Sequence, residues 1–564
     1  MLNKHRTMLR NICIETLTAP TVCDENSDME KTNTDNLISK LITGTYEDFH
    51  KNIVEFLKIY EKKTNIEELN NNCLREKLWK KLFYYLTDHT HVDCHQHCLA
   101  ALRILSRDKT NLNELVTDDA INIILQNAGL TKICEGDQIS YTIVTTESLK
   151  LLCNLLFNSV KIQQSKILIS CLPHLIDRIK NYTSDVPKDV ELFDMRILFL
   201  LTALNASARD VIKNDLCGDI YLIKILEEFT TQNEDNKTIT TKTEEISVLC
   251  EVLKVLFNLY MHSDNIGDEE QERYKNLVLI LYKLLTFKYS TSQDDLESNV
   301  INLLTIIPYS CYTSIVQPVD CSENGENGEN VYQNMDMSAI CVLLRFLNQR
   351  LDCKTRLIEN ISPVVTALVR LVKSERIIRK YVRLQILPPL KDVMTRPEVG
   401  TTLRSKLCKL LTSPLTELRD LVAELLFVLC KENVSRMVKY TGYGNAAGMF
   451  ANKGLLGRSQ TETTYSSESE DSDTEEYLKY KEQINPVTGC FEHPKLNPLE
   501  GMTEEQKEYE ALQLVNLVDK MTREGVVRPC RIGEDGKPAP IEHVLELQSE
   551  LPKQQYVRKD SDSE

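Results

Sequence analysis

Apolar residues recur at intervals of three and four from about Asn36 to Val438, with short polar breaks between one run and the next. "YEDFHKNIVEFLKIYEKK", "LREKLWKKLFYYLTD", "HCLAALRILSRD", "DDAINIILQNAG" and "PLTELRDLVAELLFVLCKEN" each gather their apolar side chains on one face of a helix. No alternating run of comparable length marks a strand. After Tyr440 the pattern stops. "TGYGNAAGMFANKGLLGRS" is rich in Gly and Ala, "TTYSSESEDSDTEEYLKY" in acids and serines, and "INPVTGCFEHPKLNPLEG" is kept irregular by Pro and Gly. One more helix follows, "MTEEQKEYEALQLVNLVDKMTRE". Thr503 and Gln506 stand at capping-box spacing, and Tyr509, Leu512, Val515, Val518 and Met521 are assigned to one apolar face. With no obvious core to join, this helix reads as a contact surface for a partner.

Three of the helical runs are alike. "ESLKLLCNLLFNS", "EVLKVLFNLYMHS" and, more loosely, "ESNVINLLTIIPY" each place an Asn before a Leu inside an apolar helix: Asn154, Asn258 and Asn302. A buried amide is costly unless bonded. Two readings follow. The amide is satisfied by nearby backbone, or it lies on the inner edge of a stacked repeat and meets the backbone of a guest peptide in a groove. The recurrence favours the second reading, which an armadillo/HEAT solenoid supplies, its inner helices stacking on their neighbours and showing one edge to a groove. "VDCSENGENGENVYQ" interrupts the array as a wet surface loop.

Composition agrees with stacked helices. At 564 residues the chain exceeds one compact core, and aromatics (6%), Gly (18) and Pro (17) are scarce. The formal charge of -16 speaks against nucleic acid as a partner. Eighteen cysteines lie scattered in apolar helices, where they read as small buried hydrophobes of a reducing compartment. The first residues lack the apolar core of a secretory signal, and no apolar run reaches the roughly 20 residues of a membrane span. A soluble, cytoplasmic monomer is expected.

The acidic run contains Ser467 and Ser472, each with Glu three residues on (Glu470, Glu475), the spacing preferred by a kinase of the casein kinase 2 type. A solvated spacer is one reading of it. The other is that phosphates at these serines find a basic partner. "ERIIRKYVR" lines up Arg376, Arg379, Lys380 and Arg383 on one helix face, and "SRMVKY" pairs Arg436 with Lys439. Arg to phosphate pairing is multidentate and stronger than an exposed ion pair. Docking there would hold the terminal helix, otherwise on a free chain ranging over roughly 30 to 35 Å, near the end of the array.

No phosphate-binding glycine loop, nucleophile elbow or zinc-protease helix occurs, so no enzyme chemistry and no cofactor is expected. "HTHVDCHQHC" holds His91, Cys94, His95, His97 and Cys98, which could share an ion; Cys98 also has core spacing with Leu102 and Leu105, and no metal is expected. In the same helix Arg103 and Arg107 form an i, i+4 pair, either a solvated edge or a basic groove end that receives a peptide carboxylate.

These pieces resemble the synembryn family (resistance to inhibitors of cholinesterase 8) from about Met29 to the terminal helix. The resemblance is carried by "LRILSRD", "ESLKLLCNL", "LFDMRILFLLTAL", "EVLKVLFNL", "LPPLKDVMTRPEVG", "AELLFVLCKENVSRMVKYTGYGNAAG", "INPVTG" and "EGMTEEQKEYEA". It implies an exchange factor and folding chaperone for heterotrimeric G-protein alpha subunits, without covalent chemistry, in the cytoplasm with recruitment to the cell cortex. It further implies that the alpha subunit's C-terminal helix enters the groove at Arg103, Arg107 and Asn154. Phosphorylated Ser467 and Ser472 would engage Arg376, Arg379, Lys380, Arg436 and Lys439, and the terminal helix would contact the nucleotide-binding domain of the same subunit. The rival is an armadillo adaptor for extended peptides; its Trp and Asn ladder has no counterpart in a chain with one tryptophan, Trp79.

The expected organisation is all-α: a disordered extension (1–28), an armadillo/HEAT superhelical solenoid (29–440) with a loop insertion at about 318–334, and a Gly-rich then acidic phosphorylatable linker (441–501). The detached partner-binding helix (502–525) and a disordered tail (526–564) complete it.

Overall fold

The computed structural model describes residues 28–541 except 132–140, 235–242, 262–266, 320–329, 457–472, 494–498 and positions 64–65, 67–68, 71–72, 89, 184, 291 and 534. Most of the N-terminal extension, the centre of the loop insertion, Ser467, Ser472 and the last 23 residues of the expected tail (542–564) therefore lie outside the described residues. The chain divides into two compact units, residues 1–342 and 343–564.

Unit 1 is built from helices that pair and then stack. Counting helices of eight residues or more, α1 (Asp28–Thr43) and α2 (Tyr46–Tyr60) lead into five pairs. These are α3 (Leu74–Thr87) with α4 (His95–Leu105), α5 (Asp118–Asn127) with α6 (Ile143–Asn158), and α7 (Leu172–Lys180) with α8 (Lys188–Leu204). Then come α9 (Gly218–Gln232) with α10 (Thr243–Tyr260) and α11 (Asp268–Thr286) with α12 (Gln293–Leu304). The second members pack in sequence, α4 on α6, α6 on α8, α8 on α10 and α10 on α12, while the first members form a second layer behind them. This two-layer stacking is the armadillo/HEAT architecture.

The apolar stripes face the space between the layers. Leu99, Leu102, Leu149, Leu152, Leu198, Leu201, Leu253 and Leu256 are all buried. Helix starts follow local rules: Thr45 and Asp48 form a capping box on α2, and Thr117 accepts from the Ala120 amide at the head of α5. The cysteines pack as small hydrophobes. All those described are free, and burial pushes the Cys171, Cys250, Cys408 and Cys430 thiols up to about 12. The flanks of the loop insertion are more ordered than a wet loop requires. Gln317–Pro318 (β1), Val331–Tyr332 (β2) and Met335–Asp336 (β3) make a small antiparallel sheet in the order β1-β3-β2. Two-residue strands leave no periodicity to read in a sequence.

Unit 2 continues the helical pattern. α13 (Ser338–Asp352) straddles the boundary and is followed by α14 (Leu357–Ser374), α15 (Arg376–Ile386), α16 (Leu403–Leu410), α17 (Thr416–Leu429), α18 (Val434–Thr441) and α19 (Tyr443–Lys453). α14 packs on α17, and Glu424 of α17 takes Lys373 of α14 and Lys453 of α19, each at 2.6 Å. Helical structure thus reaches Lys453, past the expected end at 440.

The linker is not a bare tether either. Ile484–Asn485 (β4) and Cys490–Phe491 (β5) form a hairpin around "PVTG" that closes on the start of α19. The Tyr443 and Gly444 amides donate to the Pro486 and Val487 carbonyls at 2.8 and 2.9 Å, and the Phe491 amide donates to the Val393 carbonyl at 2.7 Å. Two glycines permit the approach. Gly442 (φ +74°) and Gly489 (φ +70°) lie so close that a Cβ on Gly489 would stand 2.9 Å from Pro397 and 3.0 Å from the Gly442 backbone.

Past the terminal helix α20 (Glu504–Arg523), Cys530–Ile532 (β6) and Pro538–Pro540 (β7) form a second hairpin. Its turn meets the end of α19, where the Leu456 amide donates to the Gly536 carbonyl at 3.2 Å. Proline at both ends of β7 had masked a strand that pairs along one edge only.

Candidate functional site

Of the residues singled out for a groove, Arg103 lies on α4, Arg107 just past its end, and Asn154, Asn258 and Asn302 on α6, α10 and α12 of the same row. Arg103 is half-buried on α4; its Nε donates to Glu147 Oε2 at 2.9 Å, and no described residue pairs with its terminal nitrogens. Arg107 is held differently. Its Nη1 donates to the carbonyls of Tyr60, Glu61 and Lys63 at 3.4, 2.7 and 2.8 Å, so it closes the carbonyl end of α2. Burial lowers its pKa from the ordinary guanidinium value.

The three asparagines differ in what they offer. Asn154 donates through Nδ2 to the Arg103 carbonyl at 3.2 Å and remains half-buried. Asn258 is 1% exposed; Nδ2 reaches Thr202 Oγ1 at 3.0 Å and the Phe199 carbonyl at 3.4 Å. Asn302 is half-buried and lines a recess of about 310 Å³ between α8, α10 and α12. Asn158 to the Ser106 carbonyl (2.9 Å) and Asn205 to the Gln163 carbonyl (3.0 Å) repeat the bond made by Asn154. The amides of Asn154, Asn158, Asn205 and Asn258 therefore staple their segments to the backbone of the repeat before. Asn154 and Asn302 keep part of their surface open to solvent, while Asn258 is enclosed.

A charge pattern that the apolar periodicity hid accompanies these amides. Glu147, Lys150 and Asn154 on α6 repeat as Glu251, Lys254 and Asn258 on α10. Each Glu holds its own Lys (3.1 and 3.2 Å) and an Arg of the preceding helix in the row, Arg103 (2.9 Å) or Arg196 (3.6 Å).

In unit 2 the two basic stripes come together. Arg383 of α15 is buried, not lined up on the surface, and its guanidinium lies 5.9 Å from the Tyr440 ring, next in sequence to Lys439. Arg376 is exposed and Arg379 and Lys380 half-buried on the same helix; Arg436 and Lys439 share α18. The chain re-enters at this point. Lys439 pairs with Asp473, which Lys481 also approaches at 3.4 Å, and lies over the Tyr477 ring at 4.5 Å. The Lys439 bond, then Lys481, holds the Asp473 carboxyl below the usual range. Thr474 caps the Glu475–Tyr480 helix and donates to the Leu390 carbonyl. Asp473 directly follows Ser472, so the end of the acidic run is anchored beside one of the named cations.

α20 opens on the capping box of Thr503 and Gln506, and none of its residues is buried. Steps of three residues advance about 300°, so Tyr509, Leu512, Val515, Val518 and Met521 drift around the helix instead of sharing one face. The continuous apolar stripe is Leu514, Leu517, Val518 and Met521, at spacings of three and four. Leu514, Leu517 and Val518 are 62%, 53% and 43% exposed, so the stripe lies in solvent.

The metal-like cluster serves the core. Cys98 is fully buried, His91 Nδ1 bonds Asp88 at 2.9 Å, and His95 Nε2 meets the Asp88 carbonyl at 3.3 Å. Among the described residues no group of three or more His, Cys, Asp or Glu could hold a metal, and no helix is long and apolar enough to cross a membrane.

Paired helices stacked in two layers, with a polar edge along one row and an unpartnered amphipathic helix at the end, define a helical-repeat protein of the armadillo/HEAT class. Its sequence narrows that further. The chain belongs to the family of the guanine nucleotide exchange factor synembryn (Ric8), whose model matches residues 98–537. It is similar to Chaperone Ric-8 of Drosophila pseudoobscura pseudoobscura, 38% identical over 529 residues covering 86% of this chain and 92% of the relative. Chaperone Ric-8A of Gallus gallus is 38% identical over 486 residues, covering 84% and 89%. Chaperone Ric-8A of Xenopus laevis is 37% identical over 553 residues, covering 94% and 99%. The family match runs past α20 into the β6–β7 hairpin, beyond the segments that carried the resemblance.

Proposed function

We propose that this protein is a guanine-nucleotide exchange factor and folding chaperone for heterotrimeric G-protein alpha subunits. It takes the GDP-bound or nascent subunit by its C-terminal helix and promotes loss of GDP. It then holds the nucleotide-free form until GTP favours release. The observation that carries this reading is membership of the synembryn family along most of the chain. Exchange of this kind needs no bond chemistry, only tighter binding of the open form than of the closed, nucleotide-filled one.

In this reading the row from α4 to α12 receives the guest helix, with Arg103 and Arg107 at the end nearest its carboxylate and Asn154 and Asn302 along it. The Leu514, Leu517, Val518 and Met521 stripe of α20 covers the nucleotide-binding domain. GDP release from a purified alpha subunit is expected to accelerate when this protein is added. Leu514→Asp with Leu517→Asp is expected to slow that exchange roughly tenfold with unchanged thermal unfolding, because both side chains are already in water. No acceleration by the unaltered protein would leave a peptide-binding adaptor as the better reading.

Phosphates at Ser467 and Ser472, added by a kinase of the casein kinase 2 type, dock on Arg376, Arg379, Lys380, Arg436 and Lys439. The anchoring of Asp473 at Lys439 supports this direction. Each phosphate adds about -1.5 to -2 charges and three acceptor oxygens. Ser467→Ala with Ser472→Ala is expected to weaken alpha-subunit binding, and Arg376→Glu to cause the same loss without adding to it. Additive losses in the phosphorylated protein would separate the serines from the stripe.

A further inference from the structure

The repeated charge cluster points to a second recognition site in the row. On α4 and α6, Arg103 and Lys150 share Glu147; on α8 and α10, Arg196 and Lys254 share Glu251. In each cluster two cations share one carboxylate, and beside the second cluster the exposed Asp295 of α12 faces them across the recess. The two clusters are not equally satisfied. Arg103 Nε makes a 2.9 Å hydrogen bond to Glu147, whereas Arg196 Nε stands 3.6 Å from Glu251 and is buried without a hydrogen-bond partner, as is Glu251 Oε2. No described residue bonds the terminal nitrogens of Arg196, whose guanidinium lies 5.2 Å over the Phe193 ring. Lys254 uses one of its three donors on Glu251.

This under-bonded cluster forms the α8 and α10 side of the 310 Å³ recess, with Asp295, Asn299 and Asn302 of α12 opposite. The recess therefore has under-bonded cations around Glu251 on one wall, and two amides with the exposed Asp295 on the other. The exposed Asp295 repels an acid that enters along α12 and directs it toward Arg196 and Lys254.

We propose that the Arg196, Glu251 and Lys254 recess is a subsite for an acidic side chain within the guest helix, distinct from the end of the row at Arg103. This rests on the reading of the row as the guest-helix groove. An Arg fork with a neighbouring Lys suits a carboxylate, which accepts through both oxygens. The clusters lie two helices apart in the row. At 8 to 10 Å between packed helices and a 1.5 Å rise per residue, a guest lying along the row spans that separation in about 11 to 13 residues. The acid recognised here therefore lies three to four turns before the guest's C-terminal carboxylate.

The test uses the full chain and synthetic peptides of an alpha subunit's last helix in which each acidic residue is changed to its amide, one at a time. One internal change, about 11 to 13 residues from the C-terminus, is expected to weaken binding roughly tenfold or more. The protein with Lys254→Gln is expected to bind that peptide and its parent alike, and Arg196→Gln to behave the same way; unchanged thermal unfolding shows that each variant is folded. The subsite is overturned if every amide peptide binds like the parent, or if the loss persists undiminished in the Lys254→Gln protein. Failure of the unaltered protein to bind the parent peptide at all overturns the groove reading, and this subsite with it.

Discussion

An alpha subunit that lacks its last helix is expected to escape capture, with affinity falling at least about 100-fold relative to the intact subunit. The reason lies in where the binding free energy can arise. The polar edge of the row offers Arg103, Lys150, Arg196 and Lys254 as partly satisfied cations over an otherwise closed core. Such groups contribute when a guest desolvates them and supplies the missing acceptors. The α20 stripe is short and sits on a helix that buries nothing of its own. By itself it supplies a weak contact, so loss of the guest helix removes the larger share. Equal capture of truncated and intact subunits, measured by pull-down and by equilibrium binding, would place the main contact elsewhere.

Asp194→Ala is expected to destabilise unit 1 by about 3 to 5 kcal/mol, because it strands a buried cation. Arg178 of α7 is 5% exposed and Asp194 of α8 not at all. Arg178 donates to Asp194 and, at 2.8 Å, to the Ala128 carbonyl that ends α5; Tyr182 donates to the other Asp194 oxygen at 2.9 Å. One ion pair thus ties three helices from consecutive repeats. Burial pushes the Asp194 carboxyl up against the opposing pull of Arg178 and Tyr182. Asp194→Leu with Arg178→Met is expected to recover most of the loss, since an apolar pair of similar volume leaves no charge behind. Thermal unfolding of the unaltered protein and these two variants measures this. With two compact units in the chain, the transition that Asp194→Ala shifts is the one to compare, since a two-state treatment of the whole does not apply.

The helical part was legible because each repeat is a local object. Its apolar stripe, its cap and its polar break lie within a few turns of one another, as in "EVLKVLFNLY" and the Thr503 capping box. The asparagines were legible as special positions, since an amide inside an apolar helix demands a partner, but the partner's identity was not. For Asn258 it is Thr202 and the Phe199 carbonyl, more than 50 residues away in sequence. The terminal helix was found, and its face misread: five residues in steps of three satisfy a loose reading of periodicity while turning away from the stripe through Leu514 and Leu517.

By itself the sequence determined the helical-repeat class, the family, and which residues carry unusual charge or polarity, because these depend on spacing along one chain. Tertiary structure alone decided which of those groups are already bonded to one another. It enclosed Asn258 and Arg383, turned Arg107 into a cap for α2, brought Asp473 to Lys439, and left Arg196 and Glu251 short of partners beside a recess. Those outcomes are set by contacts between repeats. Hydrogen-bond satisfaction depends on distances of a few ångströms between residues that the sequence holds far apart.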